Sequence, residues 1–213
     1  MHVKQFNVGG DRNFAYFVGD EESKKCVLID PSYKPESLLQ YISKNDYKLI
    51  YSFSTHGHSD HTNGNEYVTK NAGVPTLLYG GTNPIGDLKI HDRVQLPLGA
   101  LSILILHTPG HTSDSMCLYI GNALFTGDTL FVGKVGGTDF ESGARAEYSS
   151  LHEKILKLPG NTIVYPGHDY GVAPFSTIEK EIKTNPFLLQ PDFESFVDLK
   201  KNWQSYKRLH GID

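Results

Sequence analysis

Four segments of the sequence repeat one pattern, in which an apolar, strand-like run enters a short turn and ends at a histidine or an aspartate. The first run, 49–54, leads into residues 55–61, which hold three histidines and one aspartate. The other three runs lead into residues 109–112, 127–128 and 166–168. Because Gly and Pro permit tight turns at strand ends, the pattern predicts four loops that each present polar side chains.

These loops carry imidazole and carboxylate groups, which first-row metals favour as ligands. The candidate ligands are His56, His58, Asp60, His61, His111, Asp128 and His168. One tetrahedral ion takes about four donors, whereas seven suit two ions about 3.5–4 Å apart with a bridging carboxylate. His56 and His58 are two residues apart and point the same way on an extended chain. Asp60 and His61 follow the turn and can serve a second ion.

The other five histidines lack this strand-end context. We expect them at the surface or at the edge of the core: His2, His91, His107, His152 and His210. His107 is close to His111 in sequence but lies inside a strand, so we exclude it from the ligand set.

Composition narrows the class of protein. A chain of 213 residues with 38% hydrophobic residues suits one globular domain, which we predict to span residues 1–213. The formal net charge of −4 argues against a protein that binds the phosphate backbone of nucleic acids, so we expect no nucleic-acid partner.

The N-terminal residues show no cationic segment followed by an apolar one, so we predict no signal peptide. No apolar run approaches the ~18 residues of a membrane span. Cys26 and Cys117 lie in apolar strand-like runs and are predicted to be buried, reduced thiols. We therefore expect a cytoplasmic protein with no membrane partner.

Hydrophobic periodicity predicts strands and helices in alternating groups. Strands are predicted over 2–8, 13–19, 24–30, 49–54, 75–79, 92–96, 101–106, 115–120, 122–125 and 162–165. Helices are predicted from Pro35 and from Ser176, and over 62–71, 145–158 and 192–209. Residues 80–84 and the glycine-rich residues 130–143 are predicted loops. Two packed sheets with helices outside, a four-layer αββα sandwich of the α/β class, would bury all of these elements.

The motifs together resemble those of the metallo-β-lactamase superfamily. They are His56-Gly-His58-Ser-Asp60-His61, Pro109-Gly110-His111-Thr112, Gly127-Asp128 and Pro166-Gly167-His168, in the order and spacing of that family. The resemblance spans nearly the whole chain and implies the αββα fold with metals at one edge.

The branch that resembles glyoxalase II implies two divalent ions, zinc or alternatively iron or manganese. In that branch His56, His58 and His111 hold one ion, Asp60, His61 and His168 hold the other, and Asp128 bridges them. Our leading interpretation is hydrolysis of a glutathione-type thioester by metal-bound hydroxide, with Asp60 as the catalytic residue that orients it. The leaving thiol has a pKa near about 8.5, so no separate general acid is needed.

The chain also resembles the persulfide dioxygenases, which use a single iron held at positions matching His56, His111 and Asp128. Their similar stretches are 22–23, 27–31, 138–140, 151–155, 168–170 and 176–178. These enzymes retain much of the second ligand set, so the intact ligands leave both branches open. Residues 185–188 are more similar to the short bacterial hydrolases.

One position departs from both branches. Their members often carry Arg just before the Thr/Ser-Asp-Phe triplet, where this chain has Gly137. Lys134 or Arg145 could take the place of that Arg, and Lys134 and Tyr170 are our candidates for contacts with a small, thiol-derived substrate. The alternatives are a solvated lysine and a tyrosine that packs against the C-terminal helix. A nuclease and a non-catalytic binding protein are the remaining alternatives, and the oligomeric state stays open.

Overall fold

Two packed β-sheets form the centre of the structure, a computed structural model that describes residues 1–81 and 89–212. The first sheet has the order β1 (His2–Gly9), β2 (Asn13–Asp20), β3 (Lys25–Ile29), β4 (Lys48–Phe53) and β5 (Thr76–Leu77). The second sheet is built from β6 (Gln95–Leu98), β7 (Leu101–His107), β8 (Met116–Ile120), β9 (Ala123–Gly127), β12 (Ile163–Pro166) and β13 (Ser176–Thr177). Its spatial order is β13-β12-β9-β8-β7-β6, and β10 (Leu130–Phe131) pairs with β11 (Lys134–Val135) as a separate hairpin.

Helices cover the outer faces of both sheets. They are α1 (Pro35–Lys44), α2 (Ser59–Thr62), α3 (Asn65–Ala72), α4 (Ser142–Glu153), a 3₁₀ helix (Ile155–Lys157), α5 (Ile178–Thr184), α6 (Phe193–Lys201) and α7 (Trp203–His210). Within the described ranges, no helix is both long and apolar enough to cross a bilayer.

Three apolar clusters hold the layers together. Because successive strand residues face opposite sides, Tyr16 of β2 points into the core between the sheets and Phe17 points towards α1 and α3. On the far side of the second sheet, Leu151 of α4 and Phe196 of α6 pack against Leu124 of β9. The four-layer αββα sandwich predicted from the sequence is therefore confirmed. One domain over residues 1–213 stays a prediction.

The directions of the strands decide where the loops meet. β12 is parallel to β9, and β8 is antiparallel to both β7 and β9, so β7, β9 and β12 all end at one edge of the second sheet. The backbone N–H of Met116 donates to the carbonyl of Thr55 at 2.8 Å, which places the end of β4 at the same edge. The N–H of Phe14, at the start of β2, donates to Gly167 at 2.8 Å.

Several element boundaries differ from the predictions. The strand predicted over 92–96 lies at Gln95–Leu98, because the chain does not turn until Gly99, whose φ is +64°. The predicted 130–143 loop contains the β10–β11 hairpin, which turns at Gly133 with φ +74°. Of the predicted loop 80–84, residues 82–84 lie outside the described residues.

The predicted helices also end differently. The helix expected over 192–209 is broken at Asn202, whose backbone leaves helical geometry with φ −101° and ψ 12° and whose side-chain amide also donates to the Asp198 carbonyl at 3.0 Å. The helix expected over 145–158 stops at Lys154, where the backbone leaves helical geometry. The helix predicted from Ser176 instead begins after Thr177, whose hydroxyl accepts from the Lys180 N–H at 3.2 Å.

Both cysteines are buried, as predicted. Burial raises the pKa of the Cys26 thiol to about 12 and that of Cys117 to about 11. Neither side chain can therefore supply a thiolate at neutral pH.

Candidate metal centre

The 55–61 loop is built to send side chains in two directions. His58 is extended, with φ −64° and ψ 145°, and it immediately precedes the single-turn helix α2. The N–H of His61 donates to the carbonyl of His58 at 3.0 Å, which closes that turn. His56 and His58 therefore lie before the change of direction, while Asp60 and His61 lie after it.

The first cluster consists of His56, His58 and His111. The Nδ1 atom of His58 lies 3.0 Å from Nε2 of His56 and 3.0 Å from Nε2 of His111. His56 is buried, His111 is partly exposed and His58 is exposed. These three ring nitrogens lie within 4.8 Å of one another, close enough to share one ion.

The second cluster consists of Asp60, His61 and His168. The Nε2 atoms of the two histidines are 3.1 Å apart. Oδ2 of Asp60 lies 3.6 Å from Nε2 of His61 and 3.5 Å from Nε2 of His168. Both histidines are buried, so this cluster is less accessible to solvent than the first.

Asp128 lies between the clusters and faces each with a different oxygen. Its Oδ1 lies 3.4 Å from Nε2 of both His61 and His168. Its Oδ2 lies 3.6 Å from Nε2 of His111. Oδ1 is buried and has no hydrogen-bond partner among the described residues, which is costly for a carboxylate oxygen. An ion between the clusters would satisfy it.

Outer hydrogen bonds fix the protons on four of the histidines. In each of them Nδ1 faces an oxygen that accepts a hydrogen bond. The partner of His56 is the Thr55 hydroxyl at 3.2 Å, and that of His61 is Oδ2 of Asp30 at 2.9 Å. His111 and His168 face backbone carbonyls, of Gly137 at 2.7 Å and of Asp11 at 2.8 Å. The Thr55 hydroxyl itself donates to Asp30 at 2.9 Å, so it accepts from His56. With Nδ1 protonated, each ring in its neutral, ligating form presents the lone pair of Nε2 to the centre.

Four ring nitrogens that can each present a lone pair, together with two carboxylates, fit a metal centre. Burial lowers the pKa of His56 to about 4 and also lowers the pKa of His111, which keeps both rings in the neutral form that ligates. Burial raises the pKa of Asp128, but the neighbouring His168 and His61 outweigh it and hold that pKa well below its ordinary value.

The seven predicted ligands are thus brought together at one edge of the sandwich. Their division between two ions remains a prediction. Gly127, with φ +47°, permits the approach of the two sheets here, because a Cβ at this position would overlap the side chain of Thr55. His107 lies outside the clusters and stacks on Tyr79, with ring centroids 3.7 Å apart.

Two residues of the site were not predicted. Asp30 is buried, accepts from the Thr55 N–H at 2.7 Å and orients His61. It follows a strand and precedes Pro31, so the strand-end pattern could have identified it. Asn13 donates from Nδ2 to the carbonyl of Asp60 at 3.2 Å and to its Oδ2 at 3.0 Å. No motif in the sequence marks that residue.

Tyr170 and Lys134 lie beside the second cluster. The ring of Tyr170 stacks on His168 with centroids 4.6 Å apart, and its hydroxyl donates to Asp11 at 2.6 Å. The Lys134 ammonium is 4.7 Å from the centre of the Tyr170 ring, and the Arg12 guanidinium is 4.9 Å from it. Two cations therefore flank one aromatic ring at the rim of the centre.

Comparison with known proteins agrees with this geometry. The sequence profile of the metallo-beta-lactamase superfamily matches residues 8–86 and 78–168. The chain belongs to this superfamily. Its fold and its clusters of possible ligands are those of an enzyme superfamily with both hydrolase and dioxygenase members.

Relatives come from both branches. The mitochondrial persulfide dioxygenase ETHE1 of Homo sapiens is 34% identical over 89% of this chain and 76% of its own length. A probable hydroxyacylglutathione hydrolase of Schizosaccharomyces pombe is 33% identical over 92% of this chain and 77% of its own length. The crystal structure of ETHE1 from Myxococcus xanthus superposes with a TM-score of 0.86 at 31% identity, covering 95% of this chain and 91% of that one.

Proposed function

We propose that this protein is a persulfide dioxygenase that oxidises a small, thiol-derived persulfide. The observation that carries the proposal is the similarity to ETHE1 of Myxococcus xanthus, which extends over 91% of that chain as well as 95% of this one. Oδ2 of Asp128 lies 3.6 Å from Nε2 of His111, and His56 shares a cluster of possible ligands with each of them, which supports the set that a single iron would need. Thioester hydrolysis, our leading interpretation of the sequence, becomes the second candidate.

His56, His111 and Asp128 would hold the iron. When bound by two imidazoles and one carboxylate, iron(II) supplies open positions for a persulfide sulfur and dioxygen. The balanced reaction converts persulfide, dioxygen and water into thiol, sulfite and protons. The S–S bond breaks, the outer sulfur is oxidised, dioxygen is reduced and water supplies the remaining oxygen atom.

Lys134 and Tyr170 would contact the rest of the substrate. Burial lowers the pKa of Lys134, whose ammonium lies against the rings of Phe131 and Tyr170. A partly desolvated cation of this kind favours an anionic group on the ligand. Together with Arg12 it would serve in place of the arginine that relatives carry at the position of Gly137.

The second candidate rests on the second cluster, whose three possible ligand atoms lie within 4.8 Å of one another. Two bound divalent ions would supply a hydroxide at neutral pH. Asp60, held by Asn13, would orient that hydroxide towards a thioester carbonyl. The hydroxyacylglutathione hydrolase relative adds weight to this alternative.

One experiment separates the candidates. The protein is purified without oxygen, its metals are identified and counted, and oxygen uptake with glutathione persulfide is measured beside cleavage of S-lactoylglutathione. One iron per chain with oxygen uptake supports the dioxygenase. Thioester cleavage without oxygen uptake, or neither activity in iron-loaded protein, overturns it.

A cytoplasmic location and the absence of nucleic-acid and membrane partners also stay proposals. Cell fractionation and size-exclusion chromatography of the full chain test the location and the oligomeric state. The human relative is described as mitochondrial, so the fractionation should test a mitochondrial fraction as well.

A further inference from the structure

The orientation of His111 depends on a segment that has no regular structure. Its Nδ1 donates to the carbonyl of Gly137 at 2.7 Å, and residues 136–139 belong to neither helix nor strand. Gly137 is exposed and has no side chain to anchor it. Asp139 ties the far end of the segment to the start of α4, because its carboxylate accepts from the N–H groups of Glu141 and Gly143 at 2.8 and 2.9 Å. The near end, at Gly136, needs a separate anchor.

Lys200 of α6 supplies that anchor. Its ammonium donates to the carbonyl of Gly136 at 2.7 Å and to the carboxylate of Glu147 in α4. The side chain of Lys200 is 5% exposed and that of Glu147 is fully buried. A buried ion pair adds little to stability compared with apolar residues of the same volume, so stability alone does not account for this pair.

Gly136 lies where this anchor can act on the metal centre. A Cβ on Gly136 would overlap the carbonyl oxygen of Asp128 and would lie 3.1 Å from the Cβ of His111. The segment thus packs directly against two of the seven candidate ligands. A shift of the Gly136 peptide would move the Gly137 carbonyl away from Nδ1 of His111.

We propose that Lys200 is a positioning residue that holds His111 in its ligating form through the Gly136–Gly137 peptide. Lys200 fixes the peptide, Gly137 keeps the proton of His111 on Nδ1, and Nε2 then presents its lone pair to the first cluster. This role rests on His111 being a metal ligand, which both candidate functions require, and not on which reaction the centre performs. Helix α6 is thereby linked to the metal centre through Lys200.

The test uses a double variant, Glu147→Leu with Lys200→Met, which replaces the ion pair by apolar side chains of similar size. Long-range ¹H–¹⁵N NMR of metal-free protein reports which ring nitrogen of His111 is protonated, with H111Q as the assignment control. We expect the Nδ1-protonated signature to be lost. Metal affinity should fall about 10–100-fold, as for loss of an outer-sphere partner of a ligand.

The chain offers a matched control. The Lys154 ammonium also donates to a carboxylate, Asp92 at 2.9 Å, and to a backbone carbonyl, His107 at 2.7 Å, but it touches no candidate ligand. D92N/K154M should leave both the tautomer and the metal affinity unchanged. Equal effects in the two double variants, or no effect in E147L/K200M, would overturn the proposal.

A second variant covers the case in which E147L/K200M does not fold. Burial raises the pKa of Glu147 to about 7 even though the Lys200 ammonium lowers it, so the carboxyl group that K200M leaves behind is neutral at about pH 6. K200M measured at that pH should lose the Nδ1 signature of His111. Retention of the signature in folded K200M would contradict the role assigned to Lys200.

Discussion

The cluster of His56, His58 and His111 lies nearer to solvent than the cluster of Asp60, His61 and His168. His58 is exposed and the His111 side chain is 15% exposed, whereas those of His61 and His168 are 0% and 3% exposed. The first cluster is oriented by a hydroxyl and by a carbonyl in an irregular segment. The second is oriented by a buried carboxylate, a backbone carbonyl and the amide of Asn13.

The two clusters therefore differ in how much of their geometry the protein fixes without a metal ion. Buried hydrogen bonds hold the second cluster in place without help from an ion, because Asp30 and Asn13 are themselves fully enclosed. The first cluster depends more on the ion that it would bind. The dioxygenase proposal therefore predicts iron on the more exposed side and a structural role for the more buried side.

Asp128 belongs to both sides, so its loss should have the largest effect. D128N removes the charge facing both clusters and should abolish metal binding. Activity should fall by about 10³-fold or more, since a catalytic metal contributes several kcal/mol. Metal content and oxygen uptake measure this, with D92N as the control. Full metal content in D128N would contradict the central position of Asp128.

Single substitutions on the two sides test the comparison directly. Under the dioxygenase proposal H56A should lose iron and about 10²–10³-fold in activity, whereas H168A should keep iron and lose about 10-fold or less. The metal content and the oxygen uptake of each folded variant are measured and compared. Equal losses in both variants, with two metals per chain in the parent protein, would favour the hydrolase.

Asp30 should reveal how far the second cluster is stabilised without metal. D30N leaves the buried His61 without its charged partner and should lower the stability of metal-free protein by about 3 kcal/mol. D46N is the control, because Asp46 has a similar φ of +57° but is exposed. Chemical denaturation in the presence of a chelator gives both values.

The loss in D30N should also depend on pH. Burial lowers the pKa of His61, but Asp30 and Asp128 outweigh it and raise the pKa above its ordinary value of 6.5. The resulting stability is fully present below that ordinary value and is lost as the pH rises through the raised value. The difference in unfolding free energy between the parent protein and D30N should therefore be larger at about pH 6 than at about pH 9. A difference in unfolding free energy that grows as the pH rises would contradict the assignment of this effect to His61.

Lys134 should have the smallest effect, and only on binding. K134M should raise KM about 3–10-fold, or ~1 kcal/mol, with kcat nearly unchanged. K183M is the matched control, because the Lys183 side chain is 66% exposed and forms a surface pair with Glu179. A fall in kcat with unchanged KM would place Lys134 at the reacting atoms instead of at the substrate's anionic group.

The candidate ligands could be predicted because each follows an apolar strand through a short turn, and that pattern is local in sequence. The same locality explains the errors. The predicted C-terminal helix is interrupted at Asn202, and β6 extends to Leu98, past its predicted end at residue 96, before the turn at Gly99. Asn13 and Lys200 act on residues 47 and 64 positions away, and no local pattern encodes those contacts.

The fold class, the seven candidate ligands and the superfamily could be predicted from consecutive residues, because strand-end turns and ligand types are local in sequence. That Asp128 faces both clusters with different oxygens follows from the three-dimensional structure and not from any local pattern. The structure alone showed that Asp30 and Gly137 set the protonation of His61 and His111. The physical reason is that a hydrogen bond depends on distance and direction in space, which the packing of two sheets and their helices establishes.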